Sequence, residues 1–495
     1  MFFTSTRSTC SIESASAIAK GLADDGGLFV PENFPVFSES DIAEMLDMDY
    51  QGRAVKVLSR YLTDFLAEEI TQCVKAAYSG KFDNDEPAPL VEVARGMNLL
   101  ELWHGPTCAF KDMALQLLPH LLTASVAKVS SGRTTVILVA TSGDTGKAAL
   151  DGFADVDGTK IIVFYPQNGV SDMQKLQMTT QQGKNVAVCA INGNFDNAQS
   201  GVKNIFADKA MAAKLDAHAM DFSSANSINF GRLVPQIVYY VSSYCDLVKS
   251  GRIKLGDSFN VVVPTGNFGN ILAAYYAKQM GIPIKKFICA SNKNNILTDF
   301  INTGVYDRNR EFYTTTSPSM DILISSNLER LLYLLAGKDC QAVAKLMQQL
   351  KDDGKYSVSG EMLAALQKEF YGGSADDSEA AEAIKELYEK YNYLCDTHTA
   401  VAVKVYQKYL AETGDDACCV IASTASPYKF APAVLEAVIG NEVCGNGFEI
   451  VEKLSKTTGT AVPAPLAGLA EKEVLHKSCV EKDEMADFIT SFLGV

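Results

Sequence analysis

No stretch of this chain is long and apolar enough to span a bilayer, and its opening MFFTSTRSTC lacks the apolar core of a signal peptide. Membrane insertion and export are therefore both disfavoured, and the cytoplasm is the expected location. The twelve cysteines include no CxxC pair and no compact Cys/His cluster, which argues against a metal site or a redox motif and leaves reduced thiols as the default. Basic residues are outnumbered, 44 against 59 acidic, and the formal net charge of −15 opposes attraction to nucleic acid or to an anionic membrane. An anionic ligand would need positive groups gathered locally. Proline is scarce beside glycine, 15 against 35, and with 47% hydrophobic and 21% charged residues the profile is that of a folded globular chain. There is no fixed-period repeat, and no GxxxxGK[ST] signature of a nucleotide P-loop.

At 495 residues the chain exceeds one average core, and length predicts about three domains or lobes. Residues 1–88 read as a mainly helical segment. Ser14 to Leu22 is a helix candidate stopped at Gly21 or the following Asp-Asp-Gly-Gly turn, and LFVP is a short extended piece. Asp41 to about Tyr78 is helical in pattern, with Leu62, Phe65, Leu66 and Ile70 on one apolar face. The polar, proline-bearing Lys81 to Pro89 marks a boundary. From Leu90 the pattern turns to strand, loop and helix. Apolar runs at Thr135 to Ala140, Ile161 to Tyr165, Val186 to Ile191, Phe259 to Val263, Phe287 to Ala290 and Cys418 to Ala422 have the length and composition of buried strands. That alternation predicts an α/β fold with a largely parallel sheet and ligands at the carboxyl ends of its strands. Residues 89–255 and 256–495 are taken as successive α/β regions. The second includes a helical insert, in which YGGSADD reads as a surface loop and Ser378 as the N-cap of EAAEAIKELYEKY, and a C-terminal tail.

Three stretches carry residues suited to chemistry. In ELWHGPTCAFKDMALQ, Glu101 to Gln116, Lys111 stands between a Gly-Pro loop that can aim it and a helix that can fix it. A lysine amine can form a Schiff base with an aldehyde cofactor and then act as acid and base, its pKa lowered by burial. His104 in the same stretch suits loop packing, a catalytic histidine being the other reading. In FNVVVPTGNFGNILAAYY a strand enters a two-glycine loop and then a helix. Gly266 and Gly269 permit close approach of a phosphate, and Asn267 and Asn270 can add hydrogen bonds, although the same loop also suits a purely structural turn. In VATSGDTGKAAL, Ser142, Thr145 and the Gly143 and Gly146 amides can hold a carboxylate or phosphate, with Lys147 in support. Ser142, Asp144 or Thr145 can equally cap the helix, and one loop can do both. A reactive lysine with a separate phosphate cradle points to pyridoxal 5'-phosphate. Positioned acid-base catalysis, worth ~10² to 10⁴ in rate, is too little for carbanion formation without such an electron sink.

HGPTCAFKD, TSGDTG, NSINFGRLVPQ and PTGNFGN, in this order, resemble the threonine synthases of the longer bacterial and fungal type. The opening TR with SAIAKGLADDGGLFVP, and the later IASTASPYKFAPAV, extend the resemblance from about Thr6 to Pro432. Trp103 and Cys108 depart from the family's lysine motif. The resemblance implies the fold-type-II architecture of pyridoxal-phosphate enzymes, tryptophan synthase β-like, with mostly parallel sheets in two lobes, an added N-terminal segment and a helical insert. It also implies that Lys111 carries the cofactor, that Gly266, Asn267, Phe268, Gly269 and Asn270 hold its phosphate, and that the Thr424 hydroxyl meets the pyridine nitrogen. Ser142, Gly143, Asp144, Thr145, Asn226, Ser227, Asn229 and Arg232 become candidate substrate contacts. Arg232 is the preferred partner for a substrate phosphate because a guanidinium matches two phosphate oxygens, a solvated helix-start arginine being the other reading. The implied reaction converts O-phospho-L-homoserine and water to L-threonine and phosphate by γ-elimination and β-hydration, with Lys111 as base. The nearest alternative is a related phospholyase releasing a 2-oxo acid, ammonia and phosphate, and the third is a non-catalytic metabolite binder on the same fold.

Overall fold

In the computed structural model, which describes residues 1–84, 86–130, 132–141, 143–168 and 170–495, the apolar runs assemble into two main sheets. The larger has six strands in the order Phe370–Ser374, Ile284–Ser291, Phe259–Pro264, Cys419–Ser423, Met97–Glu101 and Leu90–Ala94, all parallel except the last pair. The smaller has five parallel strands, Ser478–Val480, Val186–Ile191, Thr159–Pro166, Thr134–Ala140 and Met220–Ser223. Every residue of Phe259–Pro264 and of Cys419–Ser423 is buried, as strands covered by helices on both faces must be. Each of the six runs expected as strands is one, with only its ends adjusted.

Chain order and sheet order differ. Cys419–Ser423 pairs on one side with Phe259–Pro264 and on the other with Met97–Glu101, so the large sheet draws on residues from both sides of position 255. The small lobe is built between, from 134–223, and the tail returns to it: Ser478–Val480 adds an edge strand, and Met485, Ile489 and Leu493 of the last helix enter its core.

The N-terminal segment is pinned to the large lobe by charge. Arg7 donates through Nε and Nη2 to the two oxygens of Glu329, both at 2.8 Å, and the buried Arg330 donates through Nε to Phe29 O at 3.0 Å. Helix Ser14–Lys20 ends at Gly21, whose φ of 71° favours glycine. The expectation of one apolar face through Leu62, Phe65, Leu66 and Ile70 is corrected. Helix Tyr50–Tyr61 stops, Ala67–Tyr78 starts afresh, and Leu66 is 68% exposed. The break serves a neighbour: Asp64 in it accepts from Ala15 N at 2.8 Å and from the Ser14 hydroxyl, capping the first helix.

Two further expectations change. Part of YGGSADD is no surface loop, because Phe370–Ser374 is the edge strand of the large sheet. Its glycines admit close neighbours: a Cβ on Gly373 would lie 2.7 Å from Val405 Cγ1. The helix Asp377–Tyr391 is capped by Asp376 and not Ser378, since Asp376 and Glu379 form a reciprocal capping box. All twelve cysteines are free. Among the described residues, no helix is long and apolar enough to cross a membrane, and no group of three His, Cys, Asp or Glu is placed to hold a metal.

Candidate active site

Lys111 is the first residue of helix Lys111–Leu115, and the loop before it is stitched down twice. Below, the buried Asp112 carboxylate accepts from Thr107 N at 2.8 Å and Thr107 Oγ1 at 2.7 Å. Gly105 is required there, since a Cβ would lie 2.6 Å from Asp112. To the side, Phe110 N donates to Thr424 O at 2.8 Å and Ser426 N to Cys108 O at 3.0 Å, which ties the loop to the end of strand Cys419–Ser423. Cys108 is buried with φ 56°, and burial raises its thiol to about 12. The Lys111 amine lies 4.9 Å from the centre of the Phe110 ring and 3.5 Å from Ser319 Oγ. Burial holds this amine below its ordinary pKa; Asp144 pulls it back up, while Lys429 and Arg232 push it further down.

Ser319 connects the lysine to the second stretch. A Cβ on Gly266 would lie 2.6 Å from Ser319 O, so only glycine fits where that loop passes Ser319. The loop's own acceptors are occupied from outside: Ser325 Oγ donates to Gly266 O at 2.7 Å, and Asn327 donates through N and Nδ2 to Asn267 O, each at 3.0 Å. Phe268, at φ 61°, turns the chain into helix Gly269–Gln279. Asn267 is exposed. Asn270 is buried; its Oδ1 accepts from the Tyr240 hydroxyl, and its Nδ2 has no partner among the described residues. An amine, a loop with no room for a side chain and an unpaired buried amide donor together suit a cofactor bearing both an aldehyde and a phosphate. The residues present fit pyridoxal phosphate.

Ser319 itself is held by a group that has no local signature in the sequence. Its N–H donates to His398 Nε2 at 3.1 Å, so Nδ1 carries the ring proton and donates to the buried Asp396 at 2.8 Å. In sequence, CDTHTA reads only as a helix start, and Asp396 does cap Thr397–Thr413.

The third stretch departs from expectation. Ser142 lies outside the described residues. The Gly143 and Gly146 amides, expected to be open to an anion, both donate to Thr141 Oγ1 at 3.0 Å. Lys147 turns away to Asp151, at 3.0 Å, and to the Gln181 side chain. Thr145 is half-buried. Asp144 is what the loop presents. It accepts from Lys429 at 2.9 Å and Gln174 at 3.1 Å; burial opposes its charge, but Lys429 and Lys111 hold its carboxyl well below the usual range.

Of the NSINFGR residues, Asn229 is buried and structural, capping Gly231 N at 2.8 Å and donating to Ile18 O at 3.0 Å. Asn226 is exposed and Ser227 half-buried. Arg232 is not a solvated helix-start residue: it is 4% exposed, donates through Nη1 to Ala225 O, and leaves Nε without a partner among the described residues. Burial pushes it down to about 10. His104 lies between Asp83, at 2.7 Å, and Glu101, at 2.8 Å, away from the hydrogen bonds of Lys111.

Comparisons with known proteins bear on this arrangement. Three family models match: Threonine synthase N terminus over residues 2–78, Pyridoxal-phosphate dependent enzyme over 86–424, and Threonine synthase, C-terminal, over 399–489. Threonine synthase-like 1 of Homo sapiens is 42% identical across 87% of this chain, which spans only 58% of that protein's length. Threonine synthase of Pseudomonas aeruginosa is 39% identical, covering 92% of this chain and 90% of its own. The solved structure of PLP-bound threonine synthase from Brucella melitensis superimposes with a TM-score of 0.89 at 36% identity, covering 99% of each chain.

Proposed function

The chain belongs to the threonine synthase family of pyridoxal-phosphate-dependent, fold-type-II enzymes, and we propose that it converts O-phospho-L-homoserine and water to L-threonine and phosphate. The observation that carries this reading is the meeting of Lys111 and the Gly266 loop at Ser319. Lys111 is the residue that would hold the cofactor, Gly266 to Asn270 would take its phosphate, and Thr424 would face its ring nitrogen. When bound, pyridoxal phosphate supplies the electron sink that lets protons leave carbons near the substrate amine.

The chain's own residues supply the rest. Lys111, with its basicity lowered by burial, takes the proton from Cα; a second proton leaves Cβ as phosphate departs from Cγ, and Lys111 serves as acid and base again while protons return to Cγ and Cα and water adds at Cβ. Arg232, its Nε unpaired among the described residues, receives the substrate phosphate as two charge-assisted hydrogen bonds. Gly143, Asp144 and Thr145 of the small lobe are read as the substrate side, as are Asn226 and Ser227. The proposal places the reaction in the cytoplasm, where free thiols are the norm, with a small-molecule substrate and neither nucleic acid nor membrane as partner.

The test is to incubate the purified chain with O-phospho-L-homoserine and quantify threonine, phosphate and 2-oxobutyrate together. Threonine equal to phosphate supports the synthase. Phosphate matched by 2-oxobutyrate identifies a phospholyase instead, and ligand retained without turnover identifies a binding protein.

A further inference from the structure

Ser319 is exposed, yet what stands behind it is not: His398 and Asp396 are both buried. Ser319 N donates to His398 Nε2 at 3.1 Å. Asp396 Oδ2 accepts from His398 N at 2.9 Å and from His398 Nδ1 at 2.8 Å, while its Oδ1 takes Thr399 N at 3.2 Å and the Thr399 hydroxyl. The Phe430 ring closes on the imidazole, with centroids 4.8 Å apart. Capping the helix Thr397–Thr413 needs the carboxylate and the backbone amides alone. The imidazole is an addition. Nor does the Ser319 amide require it, since an N–H at an exposed position can turn to water. What a buried, oriented ring adds is a fixed direction for Ser319.

The residues before Ser319 are pinned to the same lobe. Thr316 donates to Asp377 Oδ1 through N at 3.2 Å and through Oγ1 at 3.0 Å, and its carbonyl accepts from Thr397 Oγ1 at 2.7 Å. Ser317 is fully buried and its hydroxyl accepts from Asn292 Nδ2 at 3.0 Å. Held in this way, Ser319 sets its Oγ 3.5 Å from Lys111 Nζ, and it is the one hydrogen-bond partner that amine has among the described residues. A lysine amine rides on a flexible stem, and a misplacement of about 1 Å at a reacting group can cost ~10²-fold in rate. We propose that the Ser319 hydroxyl steadies the Lys111 amine as it takes and returns protons, and that His398, oriented by Asp396, is the positioning residue that keeps the hydroxyl in place. This rests on the reading of Lys111 as the proton-transfer residue.

Two measurements test it. In the cofactor-free chain, long-range proton–nitrogen NMR correlation of the five histidines, with H398Q to assign the signal, should show His398 protonated at Nδ1 and bare at Nε2 at about pH 8. A proton on Nε2 overturns the proposal. In the loaded chain, at saturating pyridoxal phosphate, the rate is that of Cα exchange of L-2-aminobutyrate in deuterated water: Lys111 takes the Cα proton and returns a deuteron, and there is no phosphate to lose. S319A should slow exchange by about tenfold or more, the scale of a hydrogen bond to a charged group. H398F, which keeps a ring and loses the acceptor, should slow it similarly, and H398Q, whose amide oxygen can accept from Ser319 N, should recover most of the rate. Because His398 acts through the hydroxyl, S319A/H398F should be no slower than S319A alone, whereas a role in packing multiplies the two losses. Exchange in S319A that stays within about twofold of the unmodified chain, losses that multiply, or H398Q no faster than H398F each overturn the proposal. If H398F does not fold, S319A and the histidine spectrum still decide. Exchange that follows this pattern in a chain that makes no threonine sinks the proposed function and leaves this assignment standing. Threonine formed at an unchanged rate by S319A does the reverse, and an unmodified chain that exchanges no proton overturns both.

Discussion

Two loops in this molecule are written alike, an apolar strand, a polar turn with two glycines and a helix, yet they are used differently. After Thr134–Ala140 the turn is closed on itself: Thr141 Oγ1 takes the amides of Gly143 and Gly146, and Lys147 is bound to Asp151. After Phe259–Pro264 the turn is held from outside: Ser325 and Asn327 take its carbonyls, and Asn270 keeps a donor unpaired among the described residues. Glycines alone do not make an anion cradle. A loop becomes one when neighbours occupy its acceptors and leave its donors free.

The sharpest way to break this contrast is at the lysine that faces the open loop. Lys111→Ala is expected to lower threonine formation by about 10² to 10⁴ and to abolish the visible absorption of bound cofactor; absorption that persists would contradict the assignment. Arg232→Gln comes next. The loss of a buried guanidinium from a phosphate is worth about 2–5 kcal/mol, so KM for O-phospho-L-homoserine should rise by about 30-fold or more while cofactor affinity changes little.

The glycines test the contrast directly. Gly266→Ala puts a methyl 2.6 Å from Ser319 O, a clash of about 1–3 kcal/mol, and cofactor titration should show roughly tenfold weaker binding. Gly143→Ala, where φ is 148° and the methyl would lie 2.4 Å from Gln174 Nε2, should lower the melting temperature and leave cofactor affinity within about threefold, since the strain of about 1–3 kcal/mol falls on the closed loop. Equal effects on cofactor binding would erase the distinction between the loops.

The two buried carboxylates beside Lys111 extend the comparison to pH. Asp144 has a lysine, whereas Asp112 has only Thr107, and burial pushes Asp112 up to about 7 from an ordinary value of 3.8. Between those values the folded chain holds a proton that the unfolded chain has released. Asp112 therefore costs stability increasingly as pH rises through that window, and the cost levels off above about 7. Thermal melts should show Asp112→Asn gaining on the unmodified chain from pH 5 to pH 8; a constant gap would refute the shift. The smallest effect belongs to Lys147→Met, which removes a pair facing Asp151 and should change stability by less than about 1 kcal/mol and KM by less than about twofold.

The strands were legible because their burial on both faces produces unbroken apolar runs, as in Val186–Ile191, where the ends match residue for residue. Phe370–Ser374 was not, since its glycines are there for Thr298 and Val405 to approach, and that need comes from other parts of the chain. Lys111 and the Gly266 loop could be paired from local pattern. Ser319, His398 and Lys429 could not. Ser319 is 208 residues from Lys111 and Lys429 is 322 from Thr107, and each sits in a segment whose local spelling is that of an ordinary turn or helix start. Arg232 was visible as a residue type, but its burial, which separates a phosphate partner from a solvated arginine, is a property of packing.

The claim on which all of this depends is that Lys111 is the residue that carries the cofactor. Reduction of the cofactor-loaded chain with borohydride, followed by peptide mapping by mass spectrometry, tests it directly. The expected result is the pyridoxyl group on Lys111 alone. Its recovery on Lys429, Lys147 or another lysine would contradict it.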